Sequence, residues 1–284
     1  IAIESKSFFK DVCERFVKNK RAMIALVIFL IIALMAIFGP MISPYSYDGM
    51  DTAIMNQRPS AAHWFGTDRF GRDLFTRVFY GARISLMVGI VTAVINTIIG
   101  VIYGGIAGYV GGRVDMWMMR LTDILYSIPE LLYIILIMLI FGSNVRSIII
   151  GVCVAGWISM ARMVRSQIIT LKEQEFALAA FVLGANSRRI LFKHLIVNSL
   201  GTIIVTVTLM IPQAIFMEAF LSFVGVGISA PMASLGTLAQ DARTYLEIFP
   251  YQMMFPVAAI CVTIFSLNFI GEGLNSALNP KGKR

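Results

Sequence analysis

The sequence predicts an all-α integral membrane protein with six transmembrane helices. Of its 284 residues, 58% are hydrophobic and 14% are charged, whereas soluble domains contain only about 45–50% apolar residues. Several apolar stretches approach or exceed the roughly 20 residues that a helix needs to cross a bilayer. Lys and Arg cluster where these stretches end, so the net charge of +8 fits the positive-inside rule better than a nucleic-acid-binding surface.

The first predicted span follows a basic segment. Residues 1–21 are rich in Lys and Arg, so we expect them in the cytoplasm, with the first transmembrane helix (22–42) running outward. This apolar stretch is longer than the usual core of a signal peptide, and further spans follow it. We therefore interpret it as an uncleaved helix, which Gly39-Pro40 and Pro44 would end.

An extracytoplasmic loop is predicted at 43–83. Within it, His63–Arg83 interleaves aromatic residues with Arg, a composition typical of an interfacial helix on a membrane surface. Nucleic-acid binders share that composition, but a short loop on the outer face is an improbable place for such a site. An interfacial helix is therefore the favoured interpretation.

Residues 84–275 are predicted to hold the other five spans. Gly100, Gly104 and Gly108 recur at four-residue intervals, which places small residues on one helix face and predicts close approach of a second helix. Arg162 and Arg165 would mark the inner end of the fourth span, and a tail at 276–284 would be cytoplasmic. The predicted spans are 84–110, 121–141 after an inner loop at 111–120, 147–163, 195–226 interrupted by Pro212, and 251–274.

One apolar segment between two spans is too short to cross a bilayer. The block Phe176–Leu183, within residues 171–198, is closed by charged residues on both sides. At 1.5 Å per helical residue it covers roughly 12 Å, against roughly 30 Å of hydrocarbon core. Because it is apolar on all sides, we expect it to contact protein on several sides, some of them in another chain.

Catalytic, nucleotide and metal motifs are missing from the sequence. It contains no GxxxxGK[ST] fingerprint, and the two histidines, His63 and His194, are predicted on opposite sides of the membrane. Cys13, Cys153 and Cys261 match no metal or disulfide spacing. We expect a chain that is no enzyme and binds no metal or cofactor itself.

The short segment resembles the EAA loop of bacterial ABC-importer permeases. In that loop a Glu-Ala-Ala triplet is followed, after three residues, by Gly. Here Ala179, Ala180 and Gly184 keep that spacing within Glu175–Asn198.

Two positions depart from the motif. Leu178 replaces the Glu of its triplet, and Val197 replaces the Pro of the Ile-x-Leu-Pro-like sequence that closes the loop. Three more segments, His63–Leu86, Ser222–Arg243 and Asn268–Lys281, are similar to those of the second permease subunit of oligopeptide, dipeptide and nickel importers. Together the matches extend over nearly the whole chain.

The resemblance implies a type I ABC-importer permease fold in the plasma (inner) membrane of a bacterium or archaeon, with both termini cytoplasmic. It implies a homologous second permease, two cytoplasmic ATPases that bind ATP and Mg, and an extracytoplasmic substrate-binding protein. Peptides are the expected cargo, with nickel chelates or sugars as alternatives. An ion-coupled secondary transporter is the alternative from another class, and it would show repeat-related broken helices and more charge at the midplane.

The resemblance also assigns residue roles. Gly184 would end the short helix in a left-handed cap, and Glu175 is a candidate substitute for the missing motif Glu. Arg188 and Arg189 would pair with acidic groups of the ATPase or simply reflect the positive-inside bias. The residues expected at the ATPase contact are Glu175, Phe176, Leu178, Ala179, Ala180, Leu183, Gly184, Arg188 and Arg189.

Polar side chains within spans are candidates for the substrate path, because they are costly there unless they have a function. Glu218, about one and a half turns after Pro212, is the preferred candidate. Glu130 and Glu272 are predicted nearer inner helix ends, where a cap or an inter-subunit hydrogen bond is the alternative. The candidates are Glu218, Gln213, Asn96 and Glu130, with Glu272 as a weaker addition.

Overall fold

The computed structural model describes residues 8–229 and 231–278, and helices make up most of these ranges. Parts of the predicted cytoplasmic ends, residues 1–7 and 279–284, lie outside the described residues. Among the described residues, one isolated β-bridge joins Thr67 and Asp73. The α-helices are α1 (Phe8–Lys18), α2 (Lys20–Ile42), α3 (Leu74–Val110), α4 (Gly112–Tyr126), α5 (Glu130–Phe141), α6 (Val145–Ala155), α7 (Trp157–Lys172), α8 (Glu175–Val182), α9 (Ser187–Arg189), α10 (Ile196–Val224), α11 (Leu235–Arg243) and α12 (Tyr251–Leu278).

In the described part, five helical stretches have the length and apolar character to cross a membrane. They are α2, α3, α6 with α7, α9 through α10, and α12, the fourth of which includes a π-helix at Ile190–Leu195. The pair α4 and α5 passes the same criteria together but is bent by 74°. Counted as one span, the pair raises the number to six, so the predicted all-α architecture of six spans is confirmed.

The bend between α4 and α5 corrects the prediction for the third span. Helix α4 already begins at Gly112, so the inner loop expected at 111–120 is wrong. The chain leaves α4 at Tyr126 and resumes as α5 at Glu130, directly after Pro129. A proline disfavours the α conformation of the residue before it, here Ile128, which explains the break.

The separate interfacial helix expected at His63–Arg83 is also wrong. Residues 63–73 form turns, and Leu74 begins the 37-residue helix α3, which continues to Val110. Asp73 caps its start by accepting a hydrogen bond from the Thr76 backbone at 2.8 Å. At about 55 Å, α3 is longer than the roughly 30 Å hydrocarbon core, and its first ten residues, 74–83, are the helical part of the predicted segment.

Pro40 and Pro212 lie inside helices. Helix α2 continues through Pro40 but ends at Ile42, the predicted end of the first span. Helix α10 continues through Pro212, so the interruption expected there is wrong. Proline removes one backbone donor and so leaves the carbonyl four residues earlier without its partner. Membrane helices tolerate this loss where neighbouring groups compensate.

The three spaced glycines lie against α7, as their spacing predicts. A Cβ on Gly100 would lie 2.6 Å from the Met160 Cβ, and one on Gly108 would lie 2.8 Å from the Arg165 carbonyl oxygen. A Cβ on Gly104 would overlap the Ala161 carbonyl oxygen. The close contact of α3 and α7 therefore requires glycine at these positions.

Gly104→Ala is expected to destabilise the protein by about 1–3 kcal/mol, the usual cost of overpacking. Gly105→Ala is the matched control, because its Cβ would meet only Ile196 Cδ1 and Leu191 Cδ1, both at 3.6 Å, and Ala favours a helix over Gly. Thermal unfolding of the purified variants in detergent measures the difference. Equal midpoints for the two variants would contradict the packing account.

A buried ionic network connects residues 68–77 to α11. Asp68 contacts Arg72 at 2.6 Å and Arg77 at 3.7 Å, and both Arg residues reach Asp241 at 3.4 and 3.8 Å. Asp68, Arg72 and Arg77 are 6%, 5% and 2% exposed. His63 pairs separately with Asp73 at 2.9 Å. Polar residues of a predicted surface segment thus form a packed interior.

Candidate functional site

Helix α8 is a short element with a complete C-terminal cap. It extends over eight residues, Glu175–Val182, and Gly184 follows with φ +80°. The Gly184 N–H donates to the Phe181 carbonyl, and the Ala185 N–H donates to the Ala180 carbonyl, both at 3.0 Å. This pattern is a Schellman motif, and its left-handed residue is the predicted glycine.

Only one face of α8 is buried in this chain. Ala177 and Ala180 are 4% and 9% exposed and pack against Ile168, Ile190 and Leu191, which belong to the same hydrophobic cluster. Residues three apart share a helix face, so these two small side chains let α8 approach α7 and the π-helix. The assignment of Ala180 to the ATPase contact is therefore corrected, because its side chain faces the bundle.

The other faces of α8 carry exposed apolar side chains. Ala179, in the EAA-like spacing, is exposed, as is Glu175. Phe181 and Val182 were missing from the predicted contact, although both lie in the same apolar block and are more exposed than Phe176 and Leu178. The exposed fractions of the large residues are Phe176 39%, Leu178 55%, Phe181 69%, Val182 82% and Leu183 87%. We call these five side chains the α8 apolar surface.

Two exposed arginines flank the α8 apolar surface. Arg188 and Arg189 lie in α9, where the Asn186 side chain caps the Arg189 N–H at 2.8 Å. Both are exposed, and neither forms an ion pair with a residue in the described part of the chain. The surface around α8 is therefore apolar with a basic edge.

A cavity of about 420 Å³ lies between α3, α5, α6, α7 and α10. It brings together three of the four polar candidates predicted for the substrate path, one on each of three helices. Asn96 comes from α3, Glu130 from the first turn of α5 and Gln213 from α10. Because these residues are far apart in sequence, only the fold reveals that they converge.

Glu218 does not line this cavity. It is fully buried and accepts hydrogen bonds from Ser85 at 2.6 Å and from Ser222 at 2.9 Å. Ser85 belongs to α3 and Ser222 to α10, so the carboxyl group joins two helices. The preference for Glu218 as a path residue is corrected to a structural interhelical contact. Glu272 is exposed near the end of α12 and is also outside the cavity.

Metal-ligand geometry is not found in residues 8–229 and 231–278, where no group of three His, Cys, Asp or Glu side chains could hold an ion. The three cysteines, Cys13, Cys153 and Cys261, are free. The two sites to explain are therefore the exposed α8 apolar surface and the cavity that Asn96, Glu130 and Gln213 line.

Two family models match the chain. Residues 97–284 match the binding-protein-dependent transport system inner membrane component. Residues 7–59 match the N-terminal TM domain of oligopeptide transport permease C. Together the matched ranges contain both α8 and the cavity residue Gln213.

Several curated proteins are similar over almost their full length. The oligopeptide transport system permease protein of Bacillus subtilis is 48% identical over 281 residues, covering 99% of this chain and 92% of the relative. The dipeptide transport system permease protein of the same organism is 48% identical over 281 residues, with coverages of 99% and 88%. The oligopeptide permease protein of Escherichia coli K12 is 44% identical over 285 residues, with coverages of 100% and 94%.

Proposed function

Because this chain belongs to the family of binding-protein-dependent transport system inner membrane components, we propose that it carries peptides delivered by an extracytoplasmic binding protein. It is a multi-pass inner-membrane permease subunit of an ABC importer. The oligopeptide and dipeptide systems named for its relatives support peptide cargo. Nickel chelates and sugars are the alternative cargoes.

The α8 apolar surface carries the proposal for coupling. A cytoplasmic ATPase subunit binds this surface, with Phe181, Val182 and Leu183 buried in a groove of the ATPase. Full burial of one large apolar side chain contributes about 1.5–3 kcal/mol, so three of them supply substantial affinity. Two such ATPase subunits bind ATP and Mg and hydrolyse the ATP, and this chain does no catalysis.

Arg188 and Arg189 extend the proposed contact. Their guanidinium groups, which form no ion pair within residues 8–229 and 231–278, pair with carboxylates at the rim of the ATPase groove, and Glu175 supplies the one acidic group of α8. Salt weakens such exposed pairs, so the apolar surface contributes most of the affinity.

The proposed orientation places both termini in the cytoplasm. Basic residues are concentrated in 1–21, in 171–198 and in 276–284, which the positive-inside rule assigns to the same side. With this orientation α8 faces the ATPases, and the segment with the buried ionic network faces the binding protein.

Transport requires two packings of the membrane helices. A homologous second permease completes the path, and ATP binding to the docked ATPases favours one packing over the other. The cavity with Asn96, Glu130 and Gln213 is this chain's part of that path.

Reconstitution of the complete transporter in proteoliposomes tests this function. Uptake of radiolabelled tri-alanine is expected to require ATP, Mg and the loaded binding protein, and to stop with an ATPase variant that binds but does not hydrolyse ATP. Excess unlabelled peptide should compete, whereas a nickel chelate or a sugar should not. Uptake driven by an ion gradient without the ATPases would instead indicate a secondary transporter.

A further inference from the structure

The cavity has a single charged residue in its lining. Glu130 alone among the described lining residues carries a formal charge, and the other polar side chains of the lining are Thr92, Asn96, Tyr126, Ser159 and Gln213. Its volume of about 420 Å³ lies within the range of roughly 300–1,000 Å³ that is usual for ligand sites. The cavity is therefore large enough for a ligand, and the charged group of its lining is negative.

No cation of the described chain neutralises Glu130. Its carboxylate forms neither an ion pair nor a hydrogen bond with any residue in 8–229 or 231–278. Arg162 is a basic residue beside the cavity, because its guanidinium lies 4.5 Å from the ring centre of Tyr126, a lining residue. That guanidinium is already paired with Asp123 at 2.8 Å. Glu130 is half-buried, and its carboxylate can accept hydrogen bonds from a ligand in the cavity.

A second lining residue also has an unused hydrogen-bonding atom. Asn96 is 3% exposed, and its Oδ1 has no hydrogen-bond partner within the described part of the chain. Buried amide oxygens nearly always have a donor. The Glu130 carboxylate and the buried Asn96 oxygen therefore line the same space, and both can accept hydrogen bonds from one ligand.

We propose that Glu130, with Asn96 and Gln213, binds the protonated amino group of the peptide in this cavity during translocation. This inference rests on the proposed peptide-transport function and adds the chemical group that the path recognises. An ammonium group has three donors and one positive charge, which matches the carboxylate of Glu130 and the side-chain oxygens of Asn96 and Gln213.

The bend between α4 and α5 explains how Glu130 reaches the cavity. Pro129 interrupts the span, and Glu130 is the first residue of α5, directly after the bend. Tyr126, Ile128 and Pro129 line the cavity beside it. The broken helix thus places a carboxylate at the wall of the cavity.

The test compares two cargoes and three versions of this chain in the reconstituted transporter. The cargoes are tri-alanine and its desamino analogue, in which hydrogen replaces the amino group, each at a concentration that saturates the binding protein by calorimetry. The versions are wild type, Glu130→Gln and Glu130→Asp. Initial uptake rates are measured together with ATP hydrolysis and the thermal midpoint of each complex, which report assembly and folding.

Wild type is expected to transport tri-alanine about tenfold faster than the analogue, which corresponds to one charge-assisted hydrogen bond. Glu130→Gln should transport both at similar rates, and Glu130→Asp should restore a preference for tri-alanine. A Glu130→Gln variant that keeps the wild-type ratio would overturn the proposal, even if both rates fall equally, because an equal fall indicates a structural role. If wild type transports neither cargo with ATP, the proposed function itself fails.

Discussion

Phe181→Asp is expected to abolish peptide uptake and to separate the ATPase from the permease during purification. Phe181 is 69% exposed at the end of α8, so the substitution leaves the fold of this chain unchanged. In the proposed complex it removes about 1.5–3 kcal/mol of apolar burial and places an unpaired carboxylate in an apolar groove, which costs more. A loss of at least 100-fold in affinity follows, because each 1.4 kcal/mol is a factor of ten.

Phe181→Leu is the matched control, because it keeps an apolar side chain at the same position. It should retain at least part of the uptake and of the co-purified ATPase. Both variants should show the thermal midpoint of the wild-type permease measured without the ATPase. Wild-type uptake and a normal amount of ATPase with Phe181→Asp would contradict the docking role of α8.

Asp68→Ala is expected to destabilise the protein by about 3–5 kcal/mol, the usual cost of removing one partner of a buried ion pair. Asp68 accepts hydrogen bonds from the Phe70 and Arg72 backbones as well as from the Arg72 side chain. Its removal leaves Arg72 and Arg77 buried with Asp241 as their remaining acidic partner. Low yield and a strongly reduced thermal midpoint in detergent should result.

Glu247→Ala removes an acidic residue from an exposed position on the segment between α11 and α12. Exposed substitutions usually change stability by less than about 0.5 kcal/mol, so this variant should unfold like wild type. Equal midpoints for Asp68→Ala and Glu247→Ala would show that the ionic network contributes little to the stability of the outer segment.

Features that depend on local sequence could be predicted. The spacing of Gly100, Gly104 and Gly108 predicted the close contact between two helices, because side-chain size at a fixed helical interval limits how near two backbones approach. Gly184 gave the left-handed cap, since a residue without Cβ adopts positive φ at no steric cost. The apolar spans followed from length and composition.

Features that depend on which faces of two helices pack together could not be predicted. The α8 block is apolar on all sides, so periodicity cannot distinguish the buried Ala180 from the exposed Phe181. The triplet motif predicted an ATPase contact at Ala180 and gave no indication for Phe181 and Val182. Side-chain size was the available signal, because small residues three apart, Ala177 and Ala180, allow a helix to approach its own bundle closely.

The roles of the polar residues within the spans could not be predicted either. Glu218, Asn96, Glu130 and Gln213 all qualify as costly intramembrane groups, and the sequence offers no criterion to separate a lining residue from a helix-to-helix contact. Ser85, which donates to Glu218, lies far from it in the chain. Partners at such separations are determined by tertiary packing alone.

Cross-linking from α8 tests the central claim most directly. Val182→Cys, 82% exposed in the wild type, is introduced with Cys13, Cys153 and Cys261 replaced by Ser, and is labelled with a maleimide–benzophenone reagent in membranes that contain the whole transporter. Met50→Cys, at a 65% exposed position of the outer segment, is the control. Illumination should join Val182→Cys, and not Met50→Cys, to the ATPase subunit. An ATPase adduct from Met50→Cys, or none from Val182→Cys, would contradict the proposed contact.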